Sequence, residues 1–294
     1  MRVWVSGALG FVGRRLATRL DAEGHHVAGV DREVEIRDPA QVARSVAAAE
    51  PHALIHLAAQ SSGAGALRDP AETARINTLG SLNVLEAVRS EAPKARVLMI
   101  SSGEVYGSSA PGSAPFRESD PLRPGSVYGR TKASADRLAE RFAEEGLEVL
   151  RLRPFNHTGG GQDERFVAPS FARQVSQLAA GEAEPVLRVG NLDSVRDFLH
   201  VDDVVEAYVR LLDPAVPVGA YNVASGVGRR IGELLDTLLS LAGVEASTEV
   251  DPERFRPTDC AVGDASLLKQ ATGWAPRRGF EETLSELLDA AHAA

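Results

Sequence analysis

A strand, a glycine turn and a helix open this chain in immediate succession, and that order narrows the folds open to it. The residues VWVSG read as a buried strand running into GALGFVG, with Gly7, Gly10 and Gly13 spaced G-x-x-G-x-x-G. Glycine permits the tight turn and a close backbone approach to a pyrophosphate, while the first amides of the helix supply donors and a partial positive charge. A second strand, HVAGVD, ends in Asp31, placed to accept the hydroxyls of an adenosine ribose. The pattern predicts a dinucleotide site, with a structural glycine turn in some other α/β fold as the competing reading.

Strands and helices alternate from Met1 to about Phe155: strands at 3–6, 26–31, 53–57, 95–101 and 147–153, helices at 11–23, 39–48, 71–91 and 126–145. Such alternation predicts a Rossmann-type, doubly wound parallel α/β sheet with helices on both faces. The stretch from Asp31 to Asp38 is too short for a full helix, so VEI (Val34 to Ile36) is expected as a small edge strand. After RPFN come GGGQ, a helix around 167–181, the strand PVLRVG and a helix from Asp202 to Leu212 expected to return to the first domain. The expected domains interleave: 1–155 plus about 191–222 for the dinucleotide, and about 156–190 plus 223–294 as a smaller C-terminal substrate domain. Residues 229–243 and 281–292 read as amphipathic helices, with Leu234, Leu235, Leu238 and Leu239 as a core stripe. The Pro/Gly-rich segment 107–125 reads as an ordered loop flanking the site.

Tyr128 and Lys132 in YGRTK stand four residues apart, which stacks a phenol and an ammonium on one helical face. With four Tyr and three Lys in 294 residues, that spacing arises by chance with a probability on the order of 0.04. Ser102 lies where the apolar strand RVLMI ends in small polar residues, the edge of an open sheet at which ligands collect. A phenol of ordinary pKa about 10 exchanges protons poorly at neutral pH, and a nearby ammonium is expected to lower that value. Ser102 would then hold a substrate oxygen.

Together these residues resemble the extended branch of the short-chain dehydrogenase/reductase superfamily, the NAD-dependent epimerase/dehydratase family of nucleotide-sugar enzymes. The resemblance runs the whole chain, through GALGFVG, ALIHLAAQ, NTLGSLNVLEA, SSGEVYG, YGRTK, LRPFNHTGGGQ, VGNLDSVRDFLHVDDVVEAY, YNVASG and RPTD followed by TGW. Within the branch, RPFNHTG, GNLDSVRDF and RFRPTD are most similar to the GDP-4-keto-6-deoxy-D-mannose reductases and the related GDP-mannose 4,6-dehydratases. The resemblance implies Ser102, Tyr128 and Lys132 as the catalytic set. Cofactor contacts would come from Gly7, Gly10, Phe11, Val12, Gly13, Asp31, Arg32, Ile36, Leu57, Ala58, Ala59, Tyr128, Lys132 and Pro154. Substrate would meet Ser102, Asn156, Asn191, Arg196, Arg256 and Asp259, the Arg side chains matching the forked geometry of phosphate oxygens. Arg254 is a further candidate for that pyrophosphate. The cofactor is NAD(H) by a small margin on the strength of Asp31, with NADP(H) open because Arg32 could meet a 2′-phosphate.

Net charge −9 and an isoelectric point near 5.4 argue against nucleic acid and anionic membrane as partners. One cysteine, Cys260, excludes an internal disulfide and fits a reducing, cytoplasmic setting. The seven His are scattered and no metal is expected; no apolar run approaches a membrane span. The long helices 71–91 and 126–145 are expected to pair with their copies in a homodimer, as in related enzymes.

The expected reaction is reduction of the C4 ketone of a GDP-linked 4-keto-6-deoxy sugar, with Tyr128 as proton donor, Lys132 keeping it acidic and Ser102 orienting the carbonyl. GDP-D-rhamnose is the expected product. A dehydratase is the competitor, because Glu104 occupies the position of an acid/base that water elimination needs. Another epimerase/dehydratase activity, or a nucleotide-sensing module without catalysis, stands further off; the latter has no reason to keep Tyr128 and Lys132.

Overall fold

The computed structural model describes residues 1–252, 255 and 257–292. Six parallel strands form the main sheet: β1 (Arg2–Ser6), β2 (His26–Val30), β3 (Ala53–His56), β4 (Arg96–Ile100), β5 (Val149–Pro154) and β9 (Ala220–Val223), in the order β2-β1-β3-β4-β5-β9. The order reverses between β1 and β3, so their carboxyl ends open a crevice, the place where such sheets bind ligands. Strand β1 explains why both faces are covered. Val3 and Val5 point into one core with Leu16, Leu20, Ile55, Leu98 and Leu150, whereas Trp4 points into the other with Val42, Leu54, Val84, Leu85 and Val97. Residues on opposite faces of one strand bury equally only when helices pack on each side.

The first face is covered by α1 (Phe11–Ala22) and α8 (Val201–Arg210), the second by α2 (Pro39–Ala49), α5 (Gly80–Glu91) and α6 (Val127–Glu144). Asp38 caps α2 by accepting the amides of Ala40 and Gln41, and Ser126 caps α6 by accepting that of Gly129, each satisfying donors that a helix start leaves open.

Three sequence expectations change here. Val34 to Ile36 form no strand. The Glu33 carboxylate accepts the Asp31 amide at 2.8 Å, Gln41 accepts that of Glu35 at 3.1 Å, and Glu35 accepts that of Arg37 at 3.0 Å. Within Val34–Ile36 the Glu35 amide is thus taken by a side chain and the Val34 amide closes a turn onto the Asp31 carbonyl at 3.2 Å, and β2 is left as the sheet edge. The expected helix 71–91 is interrupted: α3 (Gly63–Arg68) and α4 (Pro70–Ala74) precede a π-helical turn at Arg75–Leu79, after which α5 continues. The return to the main sheet starts at α8 rather than near residue 191, because β8 (Val195–His200) belongs to a smaller sheet.

That smaller sheet pairs β8 with β10 (Gly228–Arg230), β12 (Cys260–Ala261) and β6 (Asn156–Thr158). Beside it, β7 (Val186–Val189) pairs with β11 (Ser247–Val250). Helices α7 (Val167–Ala179), α9 (Ile231–Ala242) and α11 (Phe280–His292) pack over these strands. Leu234, Leu235 and Leu238 lie in that core with Phe171, Val175, Leu284 and Leu287, and Leu239 at its margin. Truncating any of the buried leucines to alanine costs about 2–5 kcal/mol. The short α10 (Ser266–Thr272) and Trp274 return to the first core.

Candidate active site

The crevice between β1 and β3 starts at Gly7, whose φ of +71° suits glycine. A Cβ on Gly7 would lie 2.9 Å from the Ala58 nitrogen, and one on Gly13 would lie 2.1 Å from the Gly7 carbonyl oxygen and 2.8 Å from the Ala8 Cα. No side chain fits at either place, so turn and helix lie tightly against the end of β3. Gly10 stands at the cap of α1 with no side-chain hydrogen bond, which leaves the first amides of the helix, at Phe11 and Val12, without a side-chain cap, as an anion site requires. Leu57, Ala58 and Ala59, half-buried, form its β3 wall.

Asp31 ends the second strand half-buried, and its carboxylate already receives the Leu9 amide at 3.1 Å. Arg32 beside it is exposed. Ile36, expected as a cofactor contact, is 8% exposed and packs under Gly80, whose missing Cβ would meet it at 2.9 Å. It supports the site from within the core. Pro154 closes β5, buried at the carboxyl edge. The glycine cradle, the free helix start and Asp31 together fit a dinucleotide.

Further along the carboxyl edge, Ser102 follows β4 and caps a 3-10 turn at Gly103–Tyr106, its hydroxyl accepting the Glu104 amide at 3.1 Å. Tyr128 and Lys132 stand on the first turns of α6. Lys132 is 3% exposed and its ammonium donates to the Ile100 carbonyl at the end of β4. Burial lowers the Lys132 pKa to about 8, with the Asp136 charge opposing. The Tyr128 phenol behaves differently from the sequence expectation. Burial first, then the Glu104 charge, push its pKa above the ordinary value, against a hydrogen bond with Ser102. Lys132 does not lower it, because the ammonium is turned to the strand end. Tyr128 is therefore a protonated phenol across the neutral range, the form a proton donor needs.

Glu104 is exposed, and its carboxylate accepts the Ser126 hydroxyl at 2.7 Å. Behind the site runs a buried polar chain that the sequence reading missed. The Ser6 hydroxyl meets His56 Nδ1 at 2.7 Å, His56 Nε2 meets Ser81 at 3.1 Å, and Ser81 donates to the Asn77 carbonyl at 2.7 Å. Asn77 Nδ2 donates to Thr131 Oγ1 at 3.0 Å, and Thr131 donates to the Tyr128 carbonyl at 2.8 Å. Asn77 sits in the π turn and also pairs with the Gln60 backbone. The NTLG segment was the available signal, an Asn and small residues on an inward face.

The candidate substrate residues lie on the second lobe. Asn156 is exposed at the start of β6. Arg196 pairs with the Asp259 carboxylate at 2.8 Å, and Asn191 Nδ2 donates to Thr258 at 2.9 Å, which brings GNLDSVRDF and PTD side by side. Two residues expected in the sequence to act separately are thus one ion pair. Arg254 and Arg256 lie outside the described residues. Asp197, which the sequence reading did not single out, is wholly buried and accepts the amides of Ser225, Gly226 and Gly263 and the Ser225 hydroxyl, tying the segments that follow β9 and β12 to β8. Among the described residues no group of three or more His, Cys, Asp and Glu is arranged to hold a metal, and no helix is long and apolar enough to cross a membrane.

A glycine-turn crevice at a sheet switch point, with Ser, Tyr and Lys gathered beside it, defines the extended short-chain dehydrogenase/reductase class. The chain belongs to the GDP-mannose 4,6 dehydratase family, whose model matches residues 32–287. It is 37% identical over 292 residues to the GDP-6-deoxy-D-mannose reductase of Pseudomonas aeruginosa, covering 98% of this chain and 96% of that one. Its fold is similar to RMD from Pseudomonas aeruginosa complexed with NADPH, at a TM-score of 0.88 and 35% identity, covering 100% of this chain and 99% of that one. It is similar also to the UDP-glucose 4-epimerase of Thermus thermophilus in complex with NAD, at 0.88 and 31%, covering 100% of both.

Proposed function

We propose that this chain is an NAD(P)H-dependent reductase of the C4 ketone of a nucleotide-linked 4-keto-6-deoxy sugar, converting GDP-4-keto-6-deoxy-D-mannose to GDP-D-rhamnose. The observation that carries the reading is the pairing of a protonated Tyr128 with Ser102, while Glu104 is held by Ser126. The full-length likeness to a GDP-6-deoxy-D-mannose reductase supports the substrate class.

A reduced nicotinamide, when bound, supplies the hydride. Gly7, Gly10, Gly13 and the amides of Phe11 and Val12 would hold its pyrophosphate, Asp31 the adenosine ribose, and Lys132 the other ribose. Ser102 donates to the sugar carbonyl and fixes its direction. Tyr128 gives its proton to the oxygen that becomes the C4 hydroxyl and is reprotonated from solvent. Asn156, Asn191, Arg196, Arg256 and Asp259 would hold the diphosphate and nucleoside. Glu104 keeps the dehydratase reading as the second one, in line with the family description.

Asp31 and Arg32 pull cofactor choice in opposite directions, and relatives bound to NADPH and to NAD leave both cofactors in use for this fold. Dissociation constants for NADH and NADPH test the Asp31 argument, a clear NADPH preference overturning it. We place the enzyme in the cytoplasm, and as a homodimer joined through the surface where α4, the π turn and α6 meet. There Ala74, Arg75, Thr78, Leu79, Arg130 and Ser134 line a groove, with Leu79 52% exposed. Incubating purified protein with GDP-4-keto-6-deoxy-D-mannose and NADH or NADPH tests the reaction: a reduced sugar is expected, and none forming overturns it.

A further inference from the structure

We propose that Asp136, one helical turn beyond Lys132 on the same face of α6, is a positioning residue that holds Lys132 protonated, with Arg153 setting the strength of that hold. The inference deepens the reductase reading and rests on it for its catalytic meaning.

Tyr128, Lys132 and Asp136 follow one another at intervals of four, so they stand in a row along the helix. The Asp136 side chain is fully buried. The Arg153 fork grips it, Nε to Oδ2 at 2.9 Å and Nη2 to Oδ1 at 2.9 Å, and Arg151 reaches Oδ1 at 3.3 Å. Arg151 is shared with Glu140 at 2.7 Å, at a half-exposed position. Arg153 also donates to the Tyr106 hydroxyl at 2.8 Å and to the Glu118 carbonyl at 3.1 Å, and Tyr106 donates to Asn222 at 2.7 Å. Arg153 is thereby fixed from the loop side and cannot swing away from the carboxylate.

Each charged or titratable group around Lys132 can be assigned. His56, across on β3, is fully buried between Ser6 and Ser81; burial first, then the Lys132 charge, lower its pKa to about 3, so it is neutral. Tyr128 is neutral, and Glu104 is at the exposed end of the row beside it. On β5, Arg151 and Arg153 are cations that disfavour a third positive charge. Asp136 is left as the buried anion whose charge favours the Lys132 ammonium. Burial works against the Asp136 carboxylate's charge, but the Arg153 bonds outweigh it and keep the acid ionised. An ammonium buried without such a partner loses its proton by several pH units below the usual range. A neutral Lys132 could not offer a full set of donors to a nicotinamide ribose.

Few lysines make the test direct. Lys94, Lys132 and Lys269 are the chain's three. With ¹³C-labelled lysine, an NMR titration of the cofactor-free protein follows each ε-carbon, and Lys132→Met assigns the signal. Asp136→Asn is expected to weaken Lys132 protonation at least about tenfold. Arg153→Gln, which removes the bonds that keep the buried Asp136 ionised, is expected to weaken it in the same direction, Asp136→Glu to leave it within about threefold of the parent, and Lys94 and Lys269 not to move. The alkaline limb of kcat/KM should follow Lys132 in each variant. A purely structural role for Asp136 would alter stability and leave the Lys132 titration unchanged in the folded variants, which overturns the proposal. So does a parent Lys132 already neutral at pH 7, a result that needs no variant to fold. Because the titration uses no substrate, its failure is distinct from the failure of the reductase reading, which would show as a parent unable to reduce the keto sugar.

Discussion

The Glu104 carboxylate receives a 2.7 Å hydrogen bond from the Ser126 hydroxyl, and that same hydroxyl accepts the Gly129 amide that starts the Tyr128–Lys132 helix. Glu104 is therefore engaged in holding a helix cap, and its negative charge raises the pKa of Tyr128. A reductase needs no second acid/base, whereas elimination of water does.

Glu104→Gln should accordingly retain ketosugar reduction within about tenfold of the parent, because an amide oxygen still accepts the Ser126 hydroxyl and no essential proton donor is removed. Steady-state rates on the keto sugar check this. A loss of a hundredfold or more would make Glu104 part of the proton chemistry.

Tyr128→Phe removes the proton donor while leaving the ring's packing. Turnover should fall by roughly 10² to 10⁴ with cofactor affinity nearly unchanged, and rate measurements beside cofactor titration check it. The pH dependence has a defined sign. Tyr128 is pushed up and stays protonated, while Lys132 lies near 8, so kcat/KM should be level through neutrality and decline as pH rises past about 8.

Lys132 costs the fold stability in return for its role. Its folded pKa, about 8, lies below the ordinary 10.5, so between these values the unfolded chain binds a proton that the folded chain does not. The penalty is full below about 8 and fades as pH rises towards 10.5. Lys132→Met should thus stabilise the protein at pH 7 by on the order of 1–3 kcal/mol, with the gain shrinking by about pH 10 and activity lost throughout. Denaturant unfolding at the two pH values measures it.

How much of this was legible in the chain depended on distance along it. The glycine turn and the Tyr128–Lys132 pair are local patterns, and Gly7 and Gly13 are glycines because their neighbours leave no room for a Cβ. Strand β1 was readable from a short apolar run. Val34 to Ile36 form no strand because the Glu35 amide goes to the Gln41 side chain and the Val34 amide to the Asp31 carbonyl, local bonds that propensity does not foresee. The buried bond from Asn77 in the π turn to Thr131 spans 54 positions, and the Arg196–Asp259 pair joins segments far apart in sequence. The direction of the Tyr128 shift is set by burial first and by the Glu104 charge second, neither of which the Tyr-Lys spacing specifies.

Leu79 is 52% exposed in the groove beside α6, and a dimer through that face would bury it. Leu79→Glu should place a charge in the interface, converting a dimer at micromolar concentration to monomer with little loss of folded stability. Light scattering of both forms decides the point, and a monomeric parent would refute the interface.

The most direct test of the reductase account is the stoichiometry of cofactor oxidation against sugar product in a single reaction of the purified protein. With the GDP-linked 4-keto-6-deoxy sugar, one NADH or NADPH should be consumed for each C4 alcohol formed, and GDP-mannose alone should give no keto product. Conversion of GDP-mannose to the 4-keto sugar with no net consumption of reduced cofactor, abolished by Glu104→Gln, would contradict the account and make the protein a dehydratase.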